Sequence, residues 1–201
     1  QTLSKKDFEI IVVNNNKKSL SLNLMTEYLN YSINIRFVDE PDLGLSNARN
    51  RGWKESSGLY VAFIDDDSLA HKNWCKNIIH SFENNSPKPA SVGGKIIPLF
   101  QNNPPWWFNK RIVTRTFGNK RGYLSSFKAK YGFEGSNMAF QQKIIELYGG
   151  FSKNYGMIGK KVRLGEDTEY FYRLNKNNMD FWYDPEIVVY NNISKSNMKI
   201  S

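Results

Sequence analysis

An α/β fold, with a mainly parallel sheet flanked by helices, is what three observations in this 201-residue chain predict. Short β-prone runs alternate with helix-period segments through the first half, the pattern of βαβ units. The apolar runs are nearly continuous, as in strands buried on both faces. Each run ends in polar or acidic residues, and in open α/β sheets the carboxyl ends of strands are where ligands bind.

Phe8–Val13 is the first strand, ending in the turn signal Asn14-Asn15-Asn16. Ser21–Asn30 reads as a helix, with Leu22, Met25 and Leu29 at helical spacing. Ile33–Val38 is a second strand that runs into Asp39 and Glu40. After the turn Pro41–Gly44, Leu45–Glu55 is a helix stopped by Ser56-Ser57-Gly58. Leu59–Ile64 is the third strand and feeds Asp65-Asp66-Asp67. Trp74–Phe82 places Trp74, Ile78, Ile79 and Phe82 on one helical face.

The second half is less regular. Ala90–Leu99 reads as a strand and Asn102–Lys110 as a loop rich in Pro and Trp. Tyr131–Phe140 is a further strand candidate, followed by a short helix, Gln141–Tyr148, that ends at Gly149-Gly150. Asp167–Asn175 is a helix, and Phe181–Tyr190 a last strand interrupted by Pro185. No repeat and no long linker divides the chain, so residues 1–201 are expected to form a single domain.

Composition narrows the class. Hydrophobic residues at 40% and aromatics at 14% suit a packed globular protein. Cys75 is the only cysteine, so no internal disulfide is available. No apolar run approaches the roughly 20 residues of a membrane span. The net charge of +9 fits a surface drawn to anionic lipid headgroups and also a coding bias toward Lys and Asn. Nucleic acid is not expected as a partner, because the chain has no long basic run, zinc-finger spacing or aromatic RNA-binding signature.

Two acidic sites stand out. Asp65, Asp66 and Asp67 repel one another at the end of an apolar strand. A hard divalent cation would explain them, since Mg²⁺ and Mn²⁺ take carboxylate oxygens, one or two together with substrate phosphates. A solvated acidic turn with a capping Asp or Ser68 explains them as well. Glu166-Asp167 follows Gly165 and opens a helix. These acids either complement the helix N-terminus or supply a general base held at a rigid helix start.

Several segments, in order, resemble family 2 glycosyltransferases, the inverting nucleotide-sugar enzymes of the GT-A (nucleotide-diphospho-sugar transferase) fold with its Rossmann-like sheet. They are Phe8–Val13 with its Asn turn, Gly44–Gly52, Tyr60–Asp67, Phe133–Phe140 with Gly149-Gly150-Phe151, and Gly165–Glu169. The likeness covers about residues 8–190.

The resemblance implies a hexosyltransferase-type, metal-dependent enzyme that uses Mn²⁺ or Mg²⁺. Asp65 and Asp67 would be the metal ligands, and Asp66 would lie near the donor's ribose or phosphates. Asn14, Asn15 and Arg49 would be donor-binding, although an ion pair explains Arg49 as well. Asp167 would be the catalytic base, with Glu166 beside it. Glu134 and Asn137 would lie on the acceptor side. Trp106 and Trp107 could stack on a sugar ring there, pack in the core, or dip into a membrane interface. The acceptor would be a glycan or a lipid-linked sugar, in surface polysaccharide synthesis. The expected place is the cytoplasm, at the inner face of the membrane, with peripheral membrane contact.

Three departures qualify the likeness. Only Gln1–Asp7 precede Phe8, too few for the family's first strand and helix, so an N-terminally incomplete domain is expected. Asn14-Asn15-Asn16 stands where relatives have a base-contacting Asp, and Tyr190-Asn191-Asn192 where many have a metal-binding His. A non-catalytic remnant that binds nucleotide sugar, or an interaction module, is the alternative reading.

Overall fold

A computed structural model describes residues 1–16, 34–127, 132–155 and 165–194. The helix expected over Ser21–Asn30 lies outside the described residues. The chain divides into two compact units that interleave in sequence. The first holds residues 1–2, 62–139 and 180–201, and the second residues 3–61 and 140–179.

In the second unit, β1 (Glu9–Asn14) and β2 (Asn34–Asp39) pair in parallel, from Glu9 against Asn34 to Asn14 against Asp39. The run Ile10-Ile11-Val12-Val13 supplies the β-branched side chains that suit a pleated surface. Helix α1 (Leu45–Glu55) packs on β1, closely enough that a Cβ at Gly52 would touch Val13.

Helices α3 (Gln142–Tyr148) and α4 (Glu166–Lys176) complete the described part of this unit. Tyr170, Phe171 and Leu174 recur at helical spacing on α4 and are fully buried. Tyr170 stacks against Phe151, with ring centroids 4.8 Å apart, and meets Phe140 edge-on at 5.1 Å.

The larger sheet has the strand order β3 (Tyr60–Phe63), β7 (Met138–Gln141), β5 (Ser91–Phe100), β8 (Phe181–Ile193) and β4 (Ser68–Ala70). A short β6 (Gly122–Tyr123) also pairs with β8. β5 and β8 run parallel, whereas β4 and β6 lie antiparallel to β8. Helix α2 (Trp74–Glu83) packs against β8 with Trp74, Ile78 and Phe82 buried, as their spacing implies.

Two elements differ from expectation. The strand expected over Tyr131–Phe140 is shorter: residues 134–137 form a turn closed by Asn137 N–H donating to the Glu134 carbonyl at 3.0 Å, and β7 starts only at Met138. The last strand continues through Pro185 to Ile193. Pro185 is tolerated because the ladder is interrupted there: Gly93 pairs with Tyr183, and the next match is Lys95 with Val188.

Candidate active site

The acidic turn follows β3 directly. Ser68 N–H donates to the Asp65 carbonyl at 3.1 Å, which closes a tight turn through Asp66 and Asp67. Asn192 N–H donates to the Asp67 carbonyl at 3.2 Å, and Ser68 stands opposite Asn191 in the β4–β8 ladder. The backbone of the acidic turn is therefore fixed by the end of β8. Ser68 Oγ donates to an Asp67 carboxylate oxygen at 3.3 Å.

The donor set here fits a hard divalent cation. Asp65 and Asp67 bring carboxylate oxygens. The carboxamide oxygen of Asn191 is buried and has no hydrogen-bond partner among the described residues. Among those residues no three His, Cys, Asp or Glu side chains converge into a closed cage. Ions such as Mg²⁺ are commonly held by one or two carboxylates plus substrate phosphates and water rather than by such a cage.

Asn14 and Asn15 sit where β1 meets β2. Asn14 Nδ2 donates to the Asp39 carboxylate at 2.8 Å. Asn15 Nδ2 donates to the Glu40 and Asp42 carbonyls, both at 2.8 Å, and its Oδ1 accepts from Gly44 N–H at 2.7 Å. These contacts brace the turn into α1. The family resemblance linked both residues to the nucleotide and did not reveal this bracing.

Arg49 and Glu166 come together. The guanidinium donates to Glu166 Oε1 at 2.8 Å, and the two residues are only 7% and 6% exposed. Arg49 also lies over the Phe151 ring, 5.4 Å from its centroid. Arg49 could be read as a donor contact, a solvated face or an ion pair; the structure buries it and displays the ion pair. Asp167, the next residue on α4, is partly exposed, and its Oδ1 accepts from Thr168 N–H at 2.7 Å. Gly165 enters this helix in the left-handed region, at φ 102°.

The residues expected on the acceptor side lie in the first unit and divide sharply. Trp106 is 96% exposed and Trp107 is 40% exposed, so neither is core. Phe108 anchors their loop, meeting Phe100 edge-on at 5.8 Å. Glu134 is half exposed and ion-paired to Arg115. Asn137 does not fit its expected place, being 1% exposed. Its Oδ1 accepts from Trp74 Nε1 at 2.8 Å, and its Nδ2 donates to the Lys95 and Ile187 carbonyls. With its carboxamide committed to three internal bonds, Asn137 fastens the region where β8 departs from the ladder. No pattern in the sequence marks those partners, which lie 42 or more positions away.

The described residues thus combine an acidic turn behind a strand with a carboxylate pair opening a helix. The model of glycosyl transferase family 2 matches residues 1–149, and the chain belongs to that family. It is 24% identical over 191 residues to the glucosyl-dolichyl phosphate glucuronosyltransferase of Haloferax volcanii, a match covering 95% of this chain and 58% of that protein. Residues 1–349 of S. aureus TarS in complex with UDP-GlcNAc match with a TM-score of 0.72 at 16% identity, over 100% of this chain and 55% of that one. GalNAc-T7 with UDP, GalNAc and Mn²⁺ matches with a TM-score of 0.68 at 12% identity, over 95% and 39%. The fold is thus GT-A. The chain spans little more than half the length of the first two relatives.

Proposed function

We propose that this chain carries the catalytic groups of an inverting glycosyltransferase. It moves a hexosyl-type sugar from a nucleoside diphosphate to a glycan or lipid-linked acceptor in surface polysaccharide synthesis. On this reading residues 1–201 belong to a single GT-A domain. The observation that carries this reading is Asp167: a partly exposed carboxylate at the first turn of α4, directly after the buried Glu166. The printed name of the Haloferax relative, with its dolichyl phosphate-linked sugar, supports a lipid-linked acceptor. The UDP-GlcNAc complex of TarS supports a nucleotide-sugar donor.

Asp167 takes the proton of the acceptor hydroxyl as that oxygen attacks the anomeric carbon. The carbon–oxygen bond to the diphosphate breaks, its electron pair stays on the diphosphate, and a single displacement inverts the centre. Asp65 and Asp67 would hold Mn²⁺ or Mg²⁺, which when bound offsets charge growing on the leaving diphosphate. By the family resemblance Asp66, Asn14 and Asn15 would serve the nucleotide, and Trp106, Trp107 and Glu134 the acceptor. Trp106 with Lys110 and Arg111 also meets the membrane surface, at the cytoplasmic face.

Asp167→Asn keeps the shape and the capping oxygen but removes the proton acceptor. Turnover of a UDP-sugar panel is expected to fall at least roughly 10²-fold. UDP affinity, read calorimetrically, stays unchanged. A variant that keeps most of its turnover shows Asp167 to be a capping residue only.

A further inference from the structure

We infer that Arg49 and Glu166 form a buried positioning pair that sets the direction of Asp167, and that Arg49 is not a donor contact. The inference rests on the reading of Asp167 as the base. Glu166 and Asp167 are consecutive on α4, so their side chains diverge by about 100° around the helix axis. Fixing the first therefore fixes the second. Glu166 points inward, and its carboxylate meets a guanidinium from the middle of α1, 117 positions away.

That guanidinium is itself held. Its Cζ lies over the Phe151 ring, 5.4 Å from the centroid. The neighbouring Asn50 clasps the Phe151 backbone twice, through Nδ2 to the carbonyl at 2.7 Å and through Oδ1 from the N–H at 2.8 Å. Phe151 in turn packs on Tyr170 of α4. Arg49 thus sits in a frame that joins α1, the loop after α3 and the start of α4.

Gly165 by itself does not supply this restraint. Gly165 adopts a left-handed conformation that a residue without a Cβ enters freely, so it permits the turn without locking it. No side chain at position 165 caps the helix. The ion pair is a restraint at the helix entrance, beside the Glu169 N–H bond to the Gly165 carbonyl and the Thr168 N–H bond to Asp167 Oδ1. With both partners buried, removing either one leaves the other's charge in the interior without its 2.8 Å contact.

The test compares Glu166→Gln, Arg49→Met, Arg49→Lys and the Glu166→Gln/Arg49→Met double variant, with Asp167→Asn alongside. Release of UDP from UDP-GlcNAc and related UDP-sugars gives kcat and KM, and calorimetry gives the UDP Kd. We expect Glu166→Gln and Arg49→Met each to lower kcat at least tenfold while KM and Kd move less than twofold. Arg49→Lys recovers to within threefold of the parent, and the double variant is no worse than either single one. A tenfold weaker UDP Kd in Arg49→Met with Glu166→Gln unaffected overturns the inference and makes Arg49 a donor contact. Unchanged kcat in both makes the pair a fold contact only.

Hydrogen exchange at the Asp167–Glu169 amides needs no substrate and decides the matter if Asp167→Asn keeps its turnover or no sugar is turned over. At least tenfold faster exchange is expected in Glu166→Gln and Arg49→Met. Unchanged exchange overturns the positioning role, whatever the fate of the base. Should Arg49→Met not fold, Glu166→Gln and Arg49→Lys carry the same comparison.

Discussion

At Gly94 the absence of a side chain lets β8 depart from β5 and return. A Cβ there would lie 1.9 Å from the Ile187 carbonyl oxygen and 2.5 Å from that of Asp184. Both obstacles are backbone, so neither can swing away. Gly94→Ala is expected to cost about 3 kcal/mol, the upper end of overpacking effects, read as a lower denaturant midpoint. Tyr170 gives the opposite case. Its hydroxyl is buried with no hydrogen-bond partner among the described residues. Burial pushes its phenol well above the ordinary value, with Arg173 opposing and Glu169 adding. The folded state therefore keeps a proton that the unfolded chain releases above about pH 10, and stability falls as pH rises through that range. Tyr170→Phe is expected to gain about 1 kcal/mol at neutral pH, since a buried hydroxyl without a partner is unfavourable. Thermal melts from pH 8 to 11 check that it also loses this part of the alkaline decline.

The acidic turn belongs to an element, β3–turn–β4, and its prediction does too. If Asp67 holds a cation beside the donor's diphosphate, UDP affinity should rise on adding Mn²⁺, and Asp67→Ala should remove most of that gain. Calorimetric titration of UDP with and without Mn²⁺ reads both, and equal affinities throughout remove the cation from the account. α2 and α4 were legible in the sequence because each buries a face whose spacing is local, and β3 and α1 because a β-prone run and turn signals bound them. β4 was not: Ser68–Ala70 carries no strand pattern, and its pairing is dictated by β8, more than 100 positions later. The same limit hid the Arg49–Glu166 pair and the buried role of Asn137. Glu166 and Asp167 could be read as an acidic helix start, yet their division into one buried and one partly exposed carboxylate depends on what α1 offers.

The whole molecule carries +9, and its exposed aromatics coincide with part of that charge. Between Pro98 and Arg115 no carboxylate occurs, while Lys110 and Arg111 follow the exposed Trp106. Trp favours the membrane interface, and cations near it are drawn to anionic lipid. We expect co-sedimentation with vesicles of phosphatidylcholine and phosphatidylglycerol, weaker with phosphatidylcholine alone. Trp106→Ser with Lys110→Glu should abolish it. No helix among the described residues is long and apolar enough to cross a membrane. If vesicles do not bind while a soluble glycan quenches Trp fluorescence, the loop serves the acceptor instead.

The interleaving of the two units reaches into biosynthesis. β8 pairs with β5, β4 and β6, yet it follows all three in the chain. A nascent chain that has completed β5 at Phe100 still lacks that strand's parallel partner until residue 193 is made. At 5–20 residues per second this interval is roughly 5–20 s. Throughout it the apolar Val92, Ile96 and Ile97 have no β8 to pair with. Holdase binding and aggregation of stalled chains should therefore peak for ribosomes halted between β5 and β8, and drop once Phe181–Ile193 has cleared the exit tunnel.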